Sequence, residues 1–120
     1  MDISSIKNTR ELFWTNHSKM KLLQYGLSPN LVKTVIRRPE RTENGIAPKT
    51  TVVMKRKDTK KTKREVWVMM QKQETRNSEQ ETKEKNTSRV KIISAWIYPG
   101  VSPKGKDIYV PEDVWDVLGE

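Results

Sequence analysis

The chain has no cysteine in its 120 residues. That excludes disulfides, thiolate zinc sites and a cysteine nucleophile, and it removes one argument for secretion. Histidine occurs once, at His17, so one side chain alone has an unperturbed pKa near neutrality. Apolar residues make up only 33% of the chain against 32% charged, a balance that predicts a small core. No apolar run approaches the ~20 residues that span a bilayer. The opening stretch MDISSIKNTRELFW also lacks a signal-peptide core. The expectation is a soluble, cytoplasmic protein with no membrane partner, no metal and no cofactor.

Acidic residues are the other shortage, 15 against 24 lysines and arginines, which gives a net charge of +9. The resulting pI near 9.9 points to a polyanionic partner. Nucleic acid ranks ahead of membrane because no segment is both basic and strongly amphipathic. The length suits a single domain over residues 1–120, and no internal repeat is visible.

What is present is concentrated first in Phe13 to Pro39, FWTNHSKMKLLQYGLSPNLVKTVIRRP. Asn16 reads as the cap of a helix carrying Met20, Leu22 and Leu23, with Gly26 as its left-handed stop. Ser28 and Pro29 open a second helix whose Leu31, Val32, Val35 and Ile36 form one stripe before Pro39 ends it. Phe13 to Thr15 is compatible with a short strand ahead of the first helix. The run ERTENGIAPK that follows reads as a loop, with Asn44-Gly45 and Pro48 as turn signals.

Lys49 to Arg56 and Glu65 to Gln71 are rich in β-branched residues and predict two strands. KDTKKTK between them has the composition of a hairpin tip. Arg89 to Tyr98 is the strongest strand and reads as central, because both faces are largely apolar. Strict alternation predicts Val90, Ile92, Ser94, Trp96 and Tyr98 on one face and Lys91, Ile93, Ala95 and Ile97 on the other. Lys72 to Thr87 has no aliphatic or aromatic residue and predicts a mobile loop or the outer reach of a long hairpin. The tail 99–120 reads as an extension, with Val114, Val117 and Leu118 on a short helix opened by Pro111, Glu112 and Asp113. The expected class is therefore α+β: two N-terminal helices packed on a three- to four-stranded antiparallel sheet, with a core over residues 13–98 and a short C-terminal helix.

Several short motifs occur in an order that resembles a known family. These are Phe13-Trp14-Thr15-Asn16-His17 at a strand-to-helix passage, Tyr25-Gly26-Leu27-Ser28, Arg38-Pro39-Glu40, and the run Val90 to Tyr98 ending in ISAWIY. Together they are similar to a bacterial and phage domain family of unknown function related to the BrnT-type toxins of the RelE-like ribonuclease group. The resemblance covers roughly residues 13 to 98. It implies a compact α+β fold, metal-free RNA cleavage and silencing by a small DNA-binding antitoxin. His17 falls where the family often carries a helix-start histidine. The basic hairpin and the 72–87 stretch look longer than the family's usual strands.

Metal-free RNA cleavage needs a base, an acid and cations for the charged phosphorane. His17 and Tyr98 are the candidate catalytic groups. Lys21, one turn from His17, and Arg37, Arg38 and Arg41 are candidates for a cationic rim. Trp96 is a candidate for stacking on a base, and Lys55, Lys60, Lys61, Lys63 and Arg64 of the hairpin are candidates for phosphate contact. Each has a plainer reading. His17 can be a hydrogen-bonded structural residue, Trp96 can be core, the arginines can answer a helix dipole, and the hairpin lysines can be a solubilising tip. Three functions stay open: a metal-independent endoribonuclease toxin, a non-catalytic RNA- or DNA-binding domain working through hairpin 49–64, and an adaptor that docks a protein through its C-terminal helix with Trp115 as anchor.

Overall fold

β-branched and aromatic runs form the centre of the molecule because their side chains fill both faces of a pleated surface. The computed structural model describes residues 6–9, 11–45, 47, 49–74, 88–103 and 108–118. In chain order the elements are β1 (Leu12–Trp14), α1 (Asn16–Tyr25), α2 (Pro29–Arg37), β2 (Arg41–Asn44), β3 (Thr50–Arg56), β4 (Arg64–Glu74), β5 (Ser88–Pro99) and α3 (Glu112–Leu118). The strands make one five-stranded sheet in the order β1-β5-β4-β3-β2. β1 runs parallel to β5 and every other pair is antiparallel. No helix among the described residues is long and apolar enough to cross a membrane.

The α+β class holds, but the sheet is mixed and has five strands. The stretch expected to be a loop contains β2, paired from Arg41↔Met54 to Asn44↔Thr51. Its four residues RTEN carry no apolar alternation, because an edge strand needs only its backbone ladder. β1 is three residues long and returns to the sheet through the whole intervening chain, so its partner is parallel. Lys72 to Glu74, which open the stretch read as a mobile loop or the outer reach of a long hairpin, continue β4 opposite Ser88 to Val90, in keeping with the hairpin. Residues 75–87 lie outside the described residues.

The alternation expected along β5 breaks in the middle. Met69 pairs with Ser94 and Met70 with Ile92, so Ile93 is an extra residue, a β-bulge. Before the bulge Val90 and Ile92 face α1 and α2; after it Ala95 and Ile97 do. Ile93, Trp96 and Tyr98 belong to the opposite face. The predicted grouping of Val90 and Ile92 with Trp96 and Tyr98 is thus corrected, since one inserted residue exchanges the faces downstream.

Both faces are covered. On one, Leu22, Leu27, Val32 and Val35 close over Val53, Val66, Val68, Ile92 and Ala95. On the other, Val110 and Val114 close over Val52, Met54, Trp67, Met69, Ile93 and Trp96. Val110 and Val114 of the tail therefore belong to the core. Trp115, the tail's proposed anchor, is exposed.

Local signals fix the helix ends. Gly26 adopts φ 69° as the C-cap of α1, and Ser28 Oγ accepts from Leu31 N at 3.1 Å. The N-cap of α1 is Thr15, not Asn16. Its hydroxyl accepts from Ser18 N at 3.0 Å and lies 2.9 Å from the carbonyl oxygen of Ile92, so the cap also closes the β1–β5 ladder.

Val114 is fully buried in the cluster that holds Trp67 and Trp96. Val114→Ala is expected to cost about 2 kcal/mol through lost apolar contact and a residual cavity. Urea denaturation of the full chain checks this; an unchanged midpoint would place α3 off the sheet.

Candidate nucleic-acid interface

The β3–β4 hairpin is shaped by residues other than its lysines. Lys57 N donates to Arg64 O at 2.9 Å, and Thr59 N donates to Thr62 O at 2.8 Å. Thr62 N in turn donates to Thr59 Oγ1 at 3.0 Å. Asp58 accepts from Arg64 N at 3.0 Å and from Arg56 Nη2 at 2.6 Å. The hydrogen bond from Arg56 and that from Arg64 N hold its carboxyl below the usual range. Lys57, Lys60, Lys61 and Lys63 are left exposed. Among the described residues, their ammonium groups make no hydrogen bond and no ion pair.

Among the described residues, the acids at this end of the sheet, Glu40, Asp58 and Glu65, are engaged. Glu40 pairs with Lys55 at 3.6 Å, while Asp58 and Glu65 both pair with Arg56. Glu65 is only 1% exposed and is met by four donors. Ser102 supplies Oγ at 2.7 Å and N at 3.0 Å, Trp67 Nε1 lies at 3.0 Å, and Arg56 Nη1 at 3.2 Å. Burial pushes this carboxyl up, but the donors outweigh it and the net shift is downward. Among the described residues, Arg38, Lys57, Lys60, Lys61, Lys63 and Arg64 form no ion pair. The contact of Lys55 Nζ with Arg38 O, at 3.4 Å, brings the end of α2 to the end of β3 and adds Arg38 to this group. The arrangement is a stable cationic end whose acids are internally neutralised, able to hold several phosphates but without a built acid–base pair.

Of the cationic rim expected around His17, Lys21 and Arg41 have their charges paired, with Asp113 and Glu43. His17 is half-buried, with Nε2 3.0 Å from the Oγ of fully buried Ser94. Burial lowers its pKa, the charge of Asp113 opposes this, and the charge of Lys21 adds to it. Lys21 is itself buried, pairs with Asp113 and donates to Gln24 Oε1 at 2.7 Å. Its ammonium is committed to joining α1 to α3, a role that helical spacing to His17 could not reveal. Tyr98 lies four residues beyond Ser94 on β5, about 13 Å along the strand, so it shares no site with the imidazole.

Arg41 is likewise committed. It donates to Glu43 at 2.7 Å and to Ser102 Oγ at 2.9 Å, and its guanidinium lies 5.3 Å from the centre of the Trp67 ring. Trp96 has no exposed surface and belongs to the core, so it offers no stacking face. Arg37 is exposed and borders an open groove of about 390 Å³ with Thr9, Glu11, Leu12, Lys33 and Ile36. Lys55 is tied to Glu40, while Lys60, Lys61, Lys63 and Arg64 stand together at the hairpin end.

Sequence reasoning missed the roles of Arg56 and Ser102. The pairing Arg56↔Glu65 follows from the hairpin register and was open to inference; the return of Ser102 to Glu65 carries no local signal. Among the described residues, no group of three or more His, Asp or Glu side chains is placed to hold a metal ion.

Compared with known proteins, the chain matches no protein-family model, no curated protein and no solved structure. The resemblance to BrnT-type toxins accordingly rests on short sequence motifs alone.

Because the folded-state pKa of His17 lies below its ordinary 6.5, folding favours the neutral imidazole. The stability this contributes is present above 6.5 and is lost as pH falls through the lowered folded value. Urea midpoints for the full chain and for His17→Asn, compared across that window, should show a steeper fall in the parent chain. Parallel profiles would mean that the imidazole is equally solvated in both states.

Proposed function

We propose that the chain is a nucleic-acid-binding protein that contacts backbone phosphates through the cationic end of its sheet. The observation that carries this reading is a set of cations without an ion pair among the described residues, Arg38, Lys57, Lys60, Lys61, Lys63 and Arg64, beside the paired acids Glu40, Asp58 and Glu65. Lysines that only solubilise an edge do not require neighbouring carboxylates to be neutralised. Phosphate binding benefits directly, since an unpaired acid would repel the ligand and focus no anion. Phosphate contacts of this kind position a nucleic acid without specifying its sequence. The metal-independent ribonuclease reading draws less support, because His17, at Ser94, lies apart from Tyr98 and the hairpin cations. An antitoxin-like partner belongs to that reading and draws no separate support.

Binding to a labelled RNA should weaken with salt, losing about 0.7–0.9 in log–log slope for each phosphate contact removed. Reversing Lys60, Lys61 and Lys63 to Glu should weaken binding roughly tenfold or more and flatten that slope by about 2. Fluorescence anisotropy across a salt series, with the same RNA then run on a gel after incubation in EDTA, makes the check. Binding insensitive to salt or to the triple substitution would remove the hairpin from the interface, and cleavage in EDTA would restore the nuclease reading.

A further inference from the structure

Beside the cationic end lies an aromatic pair that the proposed phosphate contacts leave unused. Tyr98 on β5 is directly opposite Glu65 on β4, which is opposite Arg56 on β3. Residues facing one another across antiparallel strands project from the same side, so Arg56, Glu65 and Tyr98 form a row on the α3 face. Tyr109, from the tail, leans on Tyr98 with ring centres 5.9 Å apart and planes tilted by 48°. Tyr98 is partly buried, whereas Tyr109 is 54% exposed. The pair is joined to the hairpin tip: Gly100, two residues past Tyr98, donates its N–H to Lys63 O at 2.7 Å, and Arg56 Nη2 reaches Gly100 O at 3.5 Å.

An open ring braced by a second ring costs little side-chain entropy when it meets a flat partner, because its orientation is already restricted. Cations to one side and an open aromatic to the other suit a ligand that alternates phosphates with accessible base faces. A duplex does not offer this, since stacking hides its base faces. Arg41 and Arg56 are held by Glu43, Glu65, Asp58 and Ser102, so the phosphates fall to the other hairpin cations, Lys57, Lys60, Lys61, Lys63 and Arg64.

Resting on the nucleic-acid reading above, we infer that the ligand is single-stranded nucleic acid, with an unpaired base stacked on Tyr109 and its flanking phosphates on the hairpin cations. Tyr109 is then a binding residue and Tyr98 the positioning residue that braces it. The test uses the full chain and three probes by anisotropy. These are an oligouridylate and an oligothymidylate each about 12 nucleotides long, a duplex of matched phosphate number, and heparin as a polyanion without bases.

The single strands should bind roughly tenfold tighter than the duplex, and Tyr109→Ala should weaken them roughly 5- to 100-fold while leaving heparin nearly unchanged. Tyr109→Trp should retain single-strand binding, and thermal melts should show both variants folded. A duplex bound as tightly as the single strands would overturn the inference while sparing the phosphate reading. So would Tyr109→Ala losing nothing, or losing heparin and single strands alike. Failure of every probe to bind would bring down the phosphate reading itself.

Discussion

The carboxylate of Glu65 is the constraint on which the rest of this molecule turns. A buried, unpaired carboxylate would cost several kcal/mol. Glu65 avoids that cost through donors from three separate segments: Arg56 on β3, Trp67 on β4 and Ser102 past the end of β5. Each bond has a structural consequence. The Trp67 contact orients a large core side chain, and the Ser102 contacts start the tail on its path across the second face. The Arg56 pairing neutralises the acid within the hairpin. One side chain therefore links a packed core, a covering tail and a cationic end.

The β-bulge at Ile93 decides what sits on which face. Upstream of it β5 lends its apolar residues to α1 and α2; downstream, Trp96 and Tyr98 turn to the side that α3 covers. The two polar regions of the protein lie apart along β5. His17, Lys21, Asp113 and Ser94 make a partly buried clasp between α1, α3 and β5, in which each charge or hydrogen-bonding group has a partner. The hairpin end has the opposite character, with exposed cations whose nearby acids are occupied elsewhere. Ser94 and Pro99 are five residues apart, about 16 Å along the strand. The clasp therefore reads as an interlock holding the tail to α1, and the hairpin end as the surface that meets a ligand.

Much of the frame was legible because it is encoded locally. Gly26, Ser28 and Pro29 announce the α1–α2 corner through backbone preferences that act within a turn, and the valine-rich runs announce β3, β4 and β5 through burial on two faces. β2 escaped because Arg41 to Asn44 contribute a backbone ladder and little apolar surface. The faces of β5 were misassigned because a bulge depends on register with β4, which no single strand records. Lys21 and Arg41 looked available for phosphate because their partners, Asp113 and Ser102, arrive from 92 and 61 residues away. Trp96 shows the same limit, as a stacking platform and a core residue have the same identity in sequence. The hairpin lysines were legible as charge. That the acids around them are already paired emerged only from the fold.

The most direct test of the account is an amide chemical-shift map of the full chain titrated with a short single-stranded RNA. The account predicts perturbations at residues 55–64, at Arg38, and along Tyr98 to Gly100 with Tyr109, while the amides of His17, Lys21 and Ser94 stay in place. Perturbations centred on His17 and Ser94, with the hairpin end undisturbed, would contradict it.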